Sequence, residues 1–88
     1  MNRSAVAQQI TDFLKSITAN ELLVPGTNLF AAGLIDSLTM MDLVCFLEGQ
    51  FQVRLGVNDI TPANFQSAQT LANLVEQRTA HATEQNAA

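Results

Sequence analysis

Tryptophan and tyrosine are absent from this chain of 88 residues, which holds one cysteine, one histidine and four basic residues. Each shortage excludes something. A lone Cys45 cannot close an internal disulfide, and His81, the single histidine, has no second ligand type near it in sequence for a structural zinc site. Arg3, Lys15, Arg54 and Arg78 lie scattered against a formal net charge of −4, so no basic patch can neutralise nucleic-acid phosphates. No apolar run approaches the roughly 18 to 20 residues that span a bilayer, and the first residues lack the apolar stretch of a signal peptide. A cytoplasmic protein is expected, with no nucleic-acid partner and no membrane insertion.

What is present can fill one core. Hydrophobic residues make up 48% of the chain, enough for a single modest domain over residues 1–88, read as a monomer. Phe supplies all five aromatics, so Leu, Ile, Val, Ala and Met must build most of the interior, and that mixture favours helices over strands.

Over residues 4–18, Val6, Ile10, Phe13, Leu14 and Ile17 recur at spacings of three and four, the stripe of an amphipathic helix with Ser4 as its cap. Residues 19–36 hold Pro25-Gly26, Asn28 and Gly33, which break the period and predict a long loop with room for one helical turn. Leu22, Leu23, Leu29 and Phe30 are available to anchor it. Loops beyond about 12 to 15 residues are uncommon in compact domains unless they work, so its length hints at a functional surface.

A second helix is predicted over residues 37–51, with Met40, Leu43, Val44, Leu47 and Phe51 on its core stripe. Leu38, Met41 and Cys45 fall on a neighbouring face as a smaller apolar strip beside Ser37. Residues 52–56 read as an extended loop. Thr61-Pro62 predicts a short helix within 59–65, pinned by Ile60 and Phe65, and Ser67 caps a last helix over 68–79 with Ala68, Leu71, Leu74 and Val75 inward. The tail, 80–88, reads as frayed, which leaves an ordered core of about 4–79. The fold expected is an all-α four-helix bundle of three longer helices and one short one.

The chemistry gathers at Gly33-Leu34-Ile35-Asp36-Ser37-Leu38, where a polar loop gives way to an apolar helix. Ser37 sits where unpaired backbone N–H groups carry partial positive charge, a place that favours an attached phosphate. Two readings stay open on local chemistry. Ser37 is a plain N-cap, or Asp36 does the capping and leaves the Ser37 hydroxyl free for modification. Hydrolysis is disfavoured, because no G-x-S-x-G elbow surrounds Ser37 and no base but Asp36 lies beside it. Leu38, Met41 and Cys45 serve equally as buried filling under the loop or as a docking strip, in which Met41 suits an adaptable contact. Asp42 and Glu48 read as a solvated face, or with Asp36 as a weak acidic strip toward a basic partner.

These residues, in this order of helices, resemble the acyl carrier proteins and the related aminoacyl and peptidyl carriers. The likeness runs from the first helix through Leu29-Phe30 and the second helix to Ile60-Thr61-Pro62-Ala63-Asn64-Phe65 and Leu71-Ala72-Asn73-Leu74-Val75. It implies that the domain is not an enzyme and that Ser37 receives 4′-phosphopantetheine covalently from coenzyme A. It further implies that Asp36 helps a phosphopantetheinyl transferase and its magnesium ion engage the serine, and that Leu38, Met41 and Cys45 meet partner enzymes. An acyl- or aminoacyl-loading ligase and a downstream acyltransferase or synthase are the further partners implied. Carriers of bacterial fatty-acid synthesis resemble one another in a densely acidic second helix, whereas here Asp42 and Glu48 are the only acids beyond Asp36. A freestanding carrier of a specialised pathway is therefore expected, against the alternatives of a fatty-acid synthesis carrier and of a helical interaction module without a prosthetic group.

Overall fold

Asn2 starts the first helix, because its side-chain oxygen accepts from the N–H groups of Ser4 (2.8 Å) and Ala5 (3.3 Å). That corrects the expected Ser4 cap: Asn is at least as good a cap and stands one position before the helix, so Ser4 becomes part of α1 (Arg3–Thr18). The computed structural model describes the backbone of residues 2–87 and the side chains of residues 2–79. Val6, Ala7, Ile10 and Leu14 are buried along α1, Phe13 is half-buried, and Ile17 stays 40% exposed.

The long loop is tied down at both ends. Asn28 caps one helical turn by accepting from the N–H groups of Phe30 and Ala31, and Gly33, at φ 71°, ends it. The Leu34 N–H reaches back to the Leu29 carbonyl and the Gly33 N–H to that of Phe30, a closure that needs positive φ. Across the molecule, the Leu29 N–H donates to the Gln66 carbonyl at 2.7 Å and the Gln69 N–H to that of Pro25 at 3.0 Å. Of the four expected anchors Leu23 and Leu29 are buried, while Leu22 is 89% exposed and Phe30 stands half out. Neighbouring turn residues point in opposite directions, and one of each pair fills the core.

α2 (Ser37–Phe51) buries Leu43, Leu47 and Phe51, with Met40 and Val44 partly covered. It meets α1 where Phe13 stacks on Phe46 with centroids 4.1 Å apart, and within α2 Phe46 meets Phe51 edge-on at 5.9 Å. The following loop buries Val53 and Leu55 without strand pairing. The short fourth helix arrives earlier and tighter than expected, as a 3-10 helix over Val57–Asp59 followed by one turn closed by Phe65 N–H on Thr61 O. Pro62 disfavours helical backbone at Thr61, and Thr61 Oγ1 accepts from Asn64 N–H, so the turn is capped but does not propagate. Phe65 is fully buried as expected, but Ile60 is 38% exposed and is not a core pin.

Ser67 caps α3 (Ala68–Ala87) as the sequence predicts, through a reciprocal pair: Thr70 N–H donates to Ser67 Oγ and Ser67 N–H to Thr70 Oγ1. The helix continues beyond Thr79, and the side chains of the tail, His81 included, lie outside the described residues. α1 and α3 form the most extensive helix pair, with Leu71, Ala72, Leu74 and Val75 in the interior. Three helices and the 3-10 turn thus make an all-α globule, and no strand occurs among the described residues. No helix there is long and apolar enough to cross a membrane.

Candidate functional site

Two local devices place Ser37. Leu34 and Ile35 pack against the core and deliver an extended chain to Asp36 (φ −129°, ψ −178°), the N-cap of α2, whose Oδ1 accepts from Thr39 N–H at 2.8 Å. Ser37 becomes the first residue of the helix and is exposed. The plain-cap reading of Ser37 therefore fails, because Asp36 has the capping role. Thr39 N–H, then the Thr39 hydroxyl, bond the ionised Asp36 carboxylate and hold its pKa below the ordinary aspartate range. A carboxylate so stabilised is a poor proton acceptor, so Asp36 does not activate Ser37 as a nucleophile.

Beside Ser37 runs an apolar groove of about 390 Å³, lined by Ser37, Met40, Met41, Val44, Cys45 and Ile60. Positions 37, 41, 44 and 45 follow helical spacing, so α2 makes one wall. Ile60, just after the 3-10 helix, comes from the other side. Sequence reasoning missed Ile60 as a site residue, and Met40 and Val44 as groove-lining, because only the tertiary path carries residue 60 to α2. No signal in the sequence separates an isoleucine that pins a core from one that walls a groove.

The remaining sequence candidates divide. Met41 is 66% exposed and Cys45 exposed, both on the groove, whereas Leu38 (70% exposed) flanks it on the first turn. Asp42 is exposed outside the groove. Glu48 is half-buried, and its Oε2 accepts from Leu55 N–H at 3.0 Å, so it fastens the loop after α2. Among the described residues no three His, Cys, Asp or Glu side chains gather as a metal site.

The arrangement can hold a covalent phosphate-linked group. A hydroxyl at the first helical position, freed from capping and open to solvent, gives the attachment atom, and the groove gives apolar surface next to it.

Known proteins point the same way. The family model described as the phosphopantetheine attachment site matches residues 4–77. A protein described as probable acyl carrier protein PigG, from Serratia sp. (strain ATCC 39006), is 40% identical over 55 residues. That match covers 62% of this chain and 63% of the relative, so the chain spans less than two thirds of the relative's length.

Proposed function

This chain belongs to the phosphopantetheine attachment site family, and from that membership we propose that Ser37 bears the prosthetic group and passes an acyl or aminoacyl thioester between enzymes of a specialised pathway. The protein is a carrier and not a catalyst, and 4′-phosphopantetheine is its prosthetic group. A transferase to load it and pathway enzymes to use it follow from membership. The observation that carries the Ser37 reading is its place: the first residue of α2, exposed, with the cap supplied by its neighbour.

When bound, the group supplies a flexible arm ending in a thiol, which holds a carboxylic acid as an activated thioester. The chain's own residues do the rest. Ser37 Oγ would bond to the coenzyme A phosphorus that carries the pantetheine arm as the pyrophosphate bond breaks, with adenosine 3′,5′-bisphosphate leaving and the serine proton passing to a base of the transferase. The α2 N-terminus favours the resulting phosphodiester charge by about 0.3 to 1 kcal/mol. Asp36 stays ionised through its bonds to Thr39 and presents negative oxygen beside Ser37, where a transferase's magnesium ion can engage it.

Apolar exposure supports the specialised pathway. Leu38, Met41 and Cys45 stand out from α2, while Glu48, one of its two acids, is turned to Leu55. A partner reading this face needs apolar contacts more than a basic patch, and we place the exchange in the cytoplasm with a monomeric carrier. The test is the intact mass of the protein isolated from its native cell, before and after hydroxylamine. A short acyl or aminoacyl mass released by hydroxylamine is the expected result; a long saturated fatty chain contradicts the specialised role.

A further inference from the structure

Ile60 walls the groove beside Ser37, and the residue before it, Asp59, is bonded through both its backbone and its side chain. Asp59 N–H donates to Gly56 O and its Oδ2 accepts from Gly56 N–H, both at 3.0 Å. Its carbonyl accepts from Thr61 N–H (3.1 Å) and Asn64 Nδ2 (2.9 Å). These four bonds fasten the bend to itself. The fifth contact, Arg78 Nη2 to Asp59 Oδ1 at 3.1 Å, ties it to α3, with the Asp59 side chain only 13% exposed.

That ion pair is a weak device for stability. The buried Arg78 Nε finds no acceptor among the described residues, and an unmet buried donor works against folding. Its geometric effect is clearer: it tethers the residue before Ile60 to α3.

We infer that Arg78 is a positioning residue for the loading of Ser37, acting through Asp59 to hold Ile60 as the second wall of the groove that the loading enzyme covers. The inference rests on Ser37 as the modified residue. Ser37 itself lines the groove, so an enzyme that receives Ser37 Oγ must close over that groove and meet Ile60 as well as Met41. The partner surface it fits is apolar, since Ser37 is the one polar residue of the lining.

The experiment uses the full chain without its prosthetic group, coenzyme A and a phosphopantetheinyl transferase, with KM and kcat for the carrier measured on wild type, Ser37→Ala, Ile60→Ala, Arg78→Gln, Arg78→Lys and the Ile60→Ala/Arg78→Gln double variant. Ile60→Ala and Arg78→Gln should each raise KM by about fivefold with kcat nearly unchanged, and Arg78→Lys, which keeps the ion pair, should recover most of the loss. The double variant should be no worse than Ile60→Ala alone, because Arg78 acts through Ile60. A purely structural arginine would instead lower the melting temperature with KM unmoved, or give multiplying losses in the double variant; either result overturns the inference. Absence of loading in wild type, or loading that survives Ser37→Ala, overturns the Ser37 reading and this inference with it, and those two samples show it without any Arg78 variant.

Discussion

Asp36 and Ser37 divide between them two tasks that a single serine would otherwise have to combine. The aspartate closes the helix end by taking Thr39 N–H at 2.8 Å, which leaves the serine hydroxyl free for the attachment proposed above. Because Thr39 bonds the ionised carboxylate, the folded-state pKa of Asp36 lies below its unfolded value. Its contribution to stability is therefore complete above the unfolded value and is lost as pH falls through the folded one. An NMR titration following the Thr39 amide should show a midpoint below the ordinary aspartate range; a midpoint at or above it would sink this account of the cap. Asp36→Asn keeps a capping oxygen and removes the charge, so it should melt close to wild type while its loading rate falls. That a cap lay at 36–37 was legible in sequence, but local chemistry left Asp36 and Ser37 both open for the role, because either side chain suits a helix start. At the other end of the chain the same local rules misled, since Asn2 and Ser4 are both good caps two residues apart and Asn2 holds the helix end.

α2 has two apolar faces that differ in burial. Leu43 and Leu47 are fully buried, whereas Met41 is mostly in solvent on the groove. Leu47→Ala should cost about 2 to 5 kcal/mol through the cavity it leaves. Met41→Glu should change stability by no more than about 0.5 kcal/mol, because its carboxylate remains hydrated. Paired melting curves and transfer assays check this: Met41→Glu must lose transfer without losing its fold, and an unfolded Met41→Glu would return Met41 to the core. Helical spacing alone set Leu43 and Leu47 apart from Met41, but it put Met40 and Val44 on the core stripe, whereas both also line the groove. It could not show Glu48 turned to Leu55, nor a 3-10 helix in place of a short α-helix, since both depend on where the 52–66 segment lies.

At the scale of the molecule, a radius of gyration of 12.6 Å matches the roughly 12 Å expected for a compact chain of this length. The long first loop shares in that compactness, as Leu29 is fully buried and its N–H is bonded to Gln66. Leu29→Ala should therefore behave as a core variant, losing about 2 to 5 kcal/mol in denaturant melts. A loss under about 0.5 kcal/mol, the scale of a surface change, would mean the loop is not part of the folded unit. The sequence showed that the loop was long and anchored, but not which of its leucines faced inward. The Asp59–Arg78 pair, 19 residues apart, was likewise invisible until α3 was laid beside the bend.

A globule that holds Ser37 exposed at the start of α2, with the cap supplied by Asp36, is a scaffold for whatever that serine bears. The most direct measurement is the intact mass of the chain after incubation with coenzyme A and a phosphopantetheinyl transferase, on wild type and Ser37→Ala in parallel. Wild type should gain one phosphopantetheine unit and Ser37→Ala none. No gain in wild type, or a gain that survives Ser37→Ala, would contradict the account.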